Sequence, residues 1–283
     1  RCFPHVGNIS SQAGLTALPD VDMLRQLCAE RGRVLSDEDQ QYIEVLASDV
    51  VARSRNTVNT CRSGTLRREK FEDAIKKANE RAAFGREPSP TANPDDGKPI
   101  QKPTMDLLRD VETRWSSTYS MLDRLLEFRP AVSILLRELE HLAAHDFDKL
   151  GWHVVDDVRE FLKVHHRVHA VVNFEKTVSI CVVIPVYEKL LSLLKKLEEA
   201  TPLLIHAIKA SMDKLEEYLN IERKKPIYSI AVGMYNVRSA MAMVLMMMSP
   251  AYQPLTLLTN SIGSERIGPH KRPFAPRNGL PTS

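Results

Sequence analysis

The chain has 283 residues, of which 43% are hydrophobic and 27% charged, with a formal net charge of +3. This composition supports a folded core, but a small charge excess does not by itself indicate a polyanionic partner, because cations that bind phosphates are concentrated on one face. The cysteines lie far apart, without Cys-x-x-Cys spacing: Cys2, Cys28, Cys61 and Cys181. That spacing argues against a zinc ribbon and against a secreted disulfide framework, so we expect reduced thiols in an intracellular protein.

The hydropathy pattern predicts no membrane span. The most apolar run, residues 241–248, is much shorter than the roughly 20 residues that a membrane helix needs, and no signal peptide is visible. The first residue is Arg1 and not Met, which we interpret as a processed chain or a fragment of a longer reading frame.

Residues 1–83 predict helices. Asp20 is placed to cap a short helix, and Ser36 with the acidic residues after it begins another. We expect this second helix to run unbroken to about Arg62 and to end at Gly64. A third helix, 65–83, has an inner side made of Leu66, Phe71, Ala74, Ile75 and Ala78. Its outer side carries Arg67, Arg68, Lys70, Lys76 and Lys77.

Residues 84–104 contain five prolines and two glycines, which is typical of a linker or an exposed loop. Residues 105–115 follow, and within them 105–111 could form a strand. From 116 to 232 the apolar spacing predicts an all-α bundle, in which Pro130 should kink or divide a long helix. We expect residues 233–283, rich in Pro, Gly, Arg and Lys, to be largely disordered.

Few residues are candidates for metal or acid–base chemistry. His165, His166 and His169 share one predicted helix, but the series HHRVH lacks the Glu of a zinc protease helix, so we interpret it as a solvated face. Cys2 and His5 have half-site spacing without a second half. The acidic residues lie beside basic ones on helix faces. The sequence therefore predicts no metal site and no catalytic residue.

Trp115 is open to two interpretations. It could be a core side chain at the corner between the predicted strand and the next helix. Alternatively, it could offer an aromatic surface to an unstacked DNA base, with Arg114 near a phosphate.

Several segments together resemble the transposases of the hAT superfamily in their fungal form. Residues 1–8, RCFPHVGN, resemble the family's C/D-x-x-H motif, and residues 52–71 resemble a helical stretch that often follows. Residues 110–126, DVETRWSSTYSMLDRLL, are similar to its T-R-W-x-S-T-Y-x-M-L block. Residues 161–187 and 212–218 resemble its helical insertion domain.

This resemblance implies a mainly α protein with a partial RNase H-like core, interrupted by an all-helical insertion domain. Residues 1–83 would be a helical remnant of that core, 105–115 its last strand and 116–232 the insertion. It also implies that Cys2 and His5 organise the core. Trp115 would contact a flipped base at the hairpin end, accompanied by Arg114.

Intact members of the family use two divalent ions, Mg or Mn, held by three acids. The family places two of these acids before the Cys-x-x-His motif and the third after the insertion. This chain starts at the motif and diverges after about residue 232, so we expect no cofactor and no enzymatic activity.

The sequence therefore leads to a functional hypothesis and a rival. The hypothesis is a truncated, inactive hAT-type transposase fragment, nuclear, that retains DNA binding, for instance to transposon ends, through Arg114, Trp115, Arg67 and Arg68. The rival is a domesticated helical module that binds another protein and no DNA. The sequence does not indicate an oligomeric state.

Overall fold

The computed structural model describes residues 3–87, 97–111, 114–174 and 180–226. This part of the chain is helical and contains no strand, so the mainly α fold is confirmed, whereas the RNase H-like core remains a prediction. The helices are α1 Phe3–Ala17, α2 Val21–Glu30, α3 Asp37–Ala47, α4 Val50–Cys61, α5 Thr65–Glu80, α6 Trp115–Glu127, α7 Arg129–Glu138, α8 Lys149–Phe174, α9 Ile180–Ala200 and α10 Ile205–Arg223. The predicted tail, 233–283, lies outside the described residues.

Helices from both predicted halves of the chain share one core. The first helix, α1, packs along the last described helix, α10, and also contacts α8, while α4 contacts both α6 and α8. The predicted division at 84–104 therefore does not separate two cores among the described residues. Within the same residues, no helix is both long and apolar enough to cross a bilayer.

The predicted helix from Ser36 to Arg62 is interrupted at Asp49. Ser36 caps α3 as predicted, with a reciprocal hydrogen bond to Asp39. However, Asp49 adopts a left-handed conformation, with φ 48°, and its carboxylate accepts a hydrogen bond from the Ala52 amide at 3.0 Å. The continuous-helix prediction was wrong because a short polar side chain can both tolerate this conformation and cap the helix that follows it.

Helix α5 begins at the predicted break. Gly64 precedes it with φ +82°, a conformation that glycine adopts without steric cost. Phe71, Ala74, Ile75 and Ala78 are buried as predicted. Leu66 is 65% exposed, so its assignment to the inner side was wrong.

The flanks of the predicted linker are hydrogen-bonded. The Glu87 amide donates to the Lys98 carbonyl oxygen at 2.9 Å, and the Ile100 amide donates to Gly85 at 3.0 Å. Asn79 at the end of α5 then holds the backbone of Lys102 through its side-chain amide. Residues 88–96 lie outside the described residues.

Residues 105–111 do not form the predicted strand, and no strand partner lies beside them in the described part of the chain. Leu107 is 1% exposed and the Asp110 side chain is fully buried, whereas Leu108, Arg109 and Val111 are exposed. The buried side chains, Leu107 and Asp110, are thus three residues apart and not two. A strand requires the two-residue period, while a period of three is typical of a polyproline-like extended chain.

Pro130 divides the predicted long helix as expected. Helix α6 ends at Glu127 and α7 starts at Arg129, with Pro130 in its first turn, where a missing amide donor costs nothing. The next helix, α8, starts at Lys149 and buries Trp152 and Phe161. These helices place the first residue of α6, Trp115, against the second half of α8.

Candidate nucleic-acid interface

Trp115 lies in the core. It is the first residue of α6 and is 4% exposed. Its ring meets the imidazoles of His165, His166 and His169 edge to face, at centroid distances of 6.0, 6.4 and 5.7 Å. The prediction that Trp115 offers its ring to a DNA base does not agree with this burial, and the core interpretation is the one that the structure supports.

The histidines of α8 are packed against α6, which corrects the predicted solvated face. His165 is 2% exposed, and burial lowers its pKa to about 4 despite a backbone hydrogen bond. His166 stacks on Tyr119 with a centroid distance of 4.4 Å. Burial also lowers the pKa of His166 and of His169.

His165 links three helices through two buried serines. Its Nδ1 lies 3.2 Å from the Phe161 carbonyl oxygen. That oxygen can only accept, so Nδ1 carries the proton and Nε2 accepts from a hydroxyl. Ser211 Oγ is 3.1 Å from Nε2, and Ser10 Oγ is 2.7 Å from Ser211 Oγ.

Although this set combines two serines with a histidine, it is a structural network. All three side chains are buried, so the hydroxyls meet no substrate, and every donor has an acceptor within the network. Its effect is to join α1, α8 and α10.

One group of three acidic residues surrounds an arginine. Asp123, Asp156 and Glu160 all form ion pairs with Arg159, so a guanidinium occupies the place that a cation would need. In the described part of the chain no group of His, Cys, Asp or Glu residues is arranged to hold a metal ion. Within residues 3–87, 97–111, 114–174 and 180–226, the side chains therefore do not fit the two-metal centre that the resemblance implies.

The predicted motif pair cannot be assembled. Cys2 lies outside the described residues, and His5 is an exposed residue in the first turn of α1. Their predicted role in organising a core remains a prediction.

Arg114 is exposed and occupies the N-cap position of α6. Its amide donates to the Val111 carbonyl oxygen at 2.8 Å, and its own carbonyl accepts from the Ser117 amide at 2.9 Å. No acidic residue lies in the first turn of α6. Arg114 thus lies at the positive end of a helix dipole.

Arg67 and Arg68 reach back from the first turn of α5 to the end of α4. Arg67 Nη1 donates to the Thr60 carbonyl oxygen at 3.1 Å, and Arg68 Nε donates to the Arg62 carbonyl oxygen at 3.4 Å. Carbonyls at a helix end have no partner within the helix. These two arginines therefore stabilise the end of α4, and Arg68 remains exposed.

Two arginines of α4 hold the 105–111 segment. Arg55 donates to one oxygen of Asp110, from Nε at 3.0 Å and from Nη2 at 2.7 Å. Arg62 donates to the Leu107 carbonyl oxygen and pairs with Asp106 at 3.3 Å. Residues seven apart in a helix are about 10 Å apart along its axis, so the segment from 107 to 110 is extended and antiparallel to α4.

These contacts join the start of α5 and the 105–111 segment to α4, and we call six arginines of these elements and of the start of α6 the arginine face. Four come from α4 and α5, and two from the segment that leads into α6: Arg55, Arg62, Arg67, Arg68, Arg109 and Arg114. Two of these arginines pair with carboxylates of the segment, Arg55 with Asp110 and Arg62 with Asp106, and the Asp110 side chain is buried. The prediction had named three of the six arginines, because those of α4 and Arg109 gain their relevance only when the segment folds beside α4.

The outer side of α5 is less basic than its sequence indicated. Lys76 pairs with Asp73 at 2.9 Å, and Lys77 pairs with Glu138 of α7 at 2.7 Å. Both lysines are thus compensated by carboxylates, so the positive charge of this region is concentrated at the start of α5.

Comparison with known families gives one match. Residues 28–161 match the family model described as the ZBED1 RNase-like helical domain. The match spans somewhat less than half of the 283 residues, and it contains the whole arginine face together with Trp115. No curated protein and no solved structure gives a significant match.

Proposed function

We propose that this chain is a non-catalytic helical fragment related to hAT-type transposases, and that it binds the phosphate backbone of duplex DNA in the nucleus. The observation that carries the proposal is the arginine face, where six arginines from two helices and one extended segment lie together. The likeness of residues 28–161 to the ZBED1 RNase-like helical domain supports the relation to transposases.

The exposed members of the face have the chemistry to bind phosphates. Arg68, Arg109 and Arg114 are exposed, and a planar guanidinium donates in a fork that matches phosphate oxygens. The start of α6 beside Arg114 adds backbone amides and the positive end of a dipole. Arg55 and Arg62 are compensated by Asp110 and Asp106, so the exposed arginines carry most of the net positive charge of the face.

The aromatic residues favour backbone binding over base recognition. The large apolar side chains that are exposed in the described part of the chain are all aliphatic: Val34, Leu66, Leu108, Val111 and Ile221. Binding of single strands or flipped bases relies on exposed rings for stacking, and Trp115 is buried. We therefore expect a duplex to bind at least as well as a single strand.

The rival protein-interaction module has less support. The exposed aliphatic residues come from the α2–α3 connection, α5, the 105–111 segment and α10. An interaction site of this kind is expected as a contiguous apolar patch, whereas Leu66, Leu108 and Val111 alternate in the chain with the arginines of the face, and Val34 and Ile221 belong to other elements.

The experiment compares two triple variants with equal net charge. Arg68→Ala/Arg109→Ala/Arg114→Ala removes the exposed members of the face, whereas Arg25→Ala/Arg137→Ala/Arg223→Ala removes three arginines from α2, α7 and α10. The affinity for duplex DNA is measured by fluorescence anisotropy of labelled DNA at salt concentrations from about 25 to about 200 mM. In this range the affinity of a phosphate-binding protein depends strongly on salt.

We expect the first variant to bind duplex DNA much more weakly than the parent chain. Its salt dependence should become shallower by about one unit for each phosphate that the variant no longer binds. The second variant should bind like the parent chain. Equal binding by the two variants, or no binding by the parent at low salt, would contradict the proposal.

A further inference from the structure

Asp110 is a buried carboxylate at the centre of the arginine face. Its side chain has no exposed surface. One oxygen accepts two hydrogen bonds from Arg55. The other lies 2.8 Å from Ser117 Oγ and 3.1 Å from Thr118 Oγ1, both in the first turn of α6. A single side chain thus joins α4, the extended segment and α6.

The exposed arginines stand on either side of this junction. Arg109 directly precedes Asp110 in the chain. The Arg114 carbonyl oxygen accepts from the amides of Ser117 and Thr118, and the hydroxyls of these two residues lie against Asp110. Asp110 thus contacts one member of the face, Arg55, directly and lies beside the backbone of two others, Arg109 and Arg114.

We infer that Asp110 is a positioning residue for the arginine face, and that it increases phosphate affinity although it is negatively charged. The inference rests on the proposed function. A backbone that is held in place keeps the exposed arginines at set positions, so less freedom is lost when they bind several phosphates at once, which is the advantage of preorganisation. A carboxylate that acted only through its charge would instead oppose the binding of DNA.

The positioning role and a role through charge alone predict opposite changes in duplex affinity for the substitution Asp110→Asn. Asp110→Asn removes a negative charge and replaces one of the two acceptor oxygens by an amide donor, so the side chain can no longer accept hydrogen bonds both from Arg55 and from the hydroxyls of Ser117 and Thr118. If Asp110 acts through charge alone, the variant binds duplex DNA more tightly. If it positions the arginines, the variant binds several-fold more weakly, and the dependence of log K on log salt becomes shallower by about one, the equivalent of one bound phosphate.

Asp157→Asn is the matched control. Asp157 is also a buried aspartate that joins two helices, since it accepts a hydrogen bond from Tyr42 of α3 at 2.9 Å. We expect both substitutions to lower the melting temperature, and only Asp110→Asn to weaken DNA binding. Binding is measured at a temperature well below the unfolding transitions of both variants. Tighter or unchanged binding by Asp110→Asn, or equal weakening by both variants, would overturn the inference.

Thr118→Val provides a charge-neutral test, which decides the matter if Asp110→Asn does not fold. The substitution keeps the shape of a buried side chain and removes only its hydrogen bond to Asp110. We expect weaker duplex binding than the parent with an unchanged net charge, whereas unchanged binding would overturn the inference. The proposed function is judged separately by the two triple variants, which leave Asp110 intact.

Discussion

Gly14 of α1 lies against the ring of Phe161 of α8, so closely that a Cβ on Gly14 would be 2.3 Å from Phe161 Cζ and 3.0 Å from the Ala207 carbonyl oxygen of α10. We predict that Gly14→Ala lowers the free energy of unfolding by about 1–3 kcal/mol, because inserting a methyl group into a packed core forces its neighbours to shift. Urea unfolding at neutral pH measures the change.

Gly7 is the control for this prediction. It lies in the same helix, and a Cβ there would have nothing within 4 Å. Gly7→Ala should stabilise the protein by up to about 1 kcal/mol through helix propensity alone. If Gly14→Ala proved as stable as Gly7→Ala, the close crossing of α1 with α8 and α10 would be wrong.

The left-handed conformation of Asp49 predicts an unusual order of stability for its substitutions. Asp49→Asn keeps both the left-handed conformation and the cap, so we expect a small effect. Asp49→Gly keeps the conformation and loses the side-chain cap. Asp49→Ala loses both, at about 1 kcal/mol for the cap and about 1–2 kcal/mol for the conformation. Thermal unfolding should therefore rank alanine below glycine and glycine below asparagine, and a different order would indicate a regular helix through this position.

The elements that could be predicted from the sequence are those with local causes. Asp20 and Ser36 cap their helices through amides three residues away, and Pro130 acts on its own turn. Asp49 is also local, but an aspartate in an amphipathic run is more often an exposed helix residue than a break. Its left-handed conformation has no distinctive sequence pattern.

The candidate site could be predicted only in part because its decisive contacts are distant in sequence. Arg55 and Asp110 are 55 residues apart, and Trp115 is buried by histidines of a helix that starts 34 residues later. Periodicity cannot show that His165 turns towards the core, since histidine suits either face of a helix. Burial of Trp115 and convergence of the arginines are therefore tertiary properties.

The Cys61 thiol should be unreactive in the folded protein. It is 1% exposed, and burial raises its pKa to about 12. The thiolate is the nucleophile in alkylation, so at pH 8 both access and ionisation oppose the reaction. We expect iodoacetamide to modify Cys61 only at the rate of unfolding, as followed by peptide mass spectrometry. Rapid labelling under native conditions would mean that the end of α4 opens locally.

Trp115 gives a spectroscopic test of its burial. The chain has two tryptophans, so Trp152→Phe leaves Trp115 as the single indole emitter. Since its ring is enclosed by imidazoles, we predict blue-shifted emission and weak quenching by acrylamide. Saturation with duplex DNA, confirmed by anisotropy of the labelled DNA, should leave both unchanged. Quenching on DNA binding would show instead that a base stacks on the ring, as the family resemblance implied.

Acidification should unfold the protein partly through His165. Burial lowers the pKa of this imidazole from 6.5 to about 4. Between these values the unfolded chain binds a proton that the folded protein does not, so stability falls as the pH decreases through that window. Neutral His165 contributes fully to the free energy of unfolding above pH 6.5. About 3 kcal/mol of this contribution is lost by pH 4, at about 1.36 kcal/mol per pKa unit.

His165→Gln isolates this contribution, because glutamine does not titrate and the other acid-sensitive groups, including His206 with its lowered pKa, are common to both proteins. The difference in unfolding free energy between parent and variant, measured in urea from pH 8 to pH 4, should be constant above pH 6.5 and should decrease below it. A difference that is constant over the whole range would mean that the imidazole is accessible to protons in the folded protein. The network of Ser10, His165 and Ser211 would then not be closed to water.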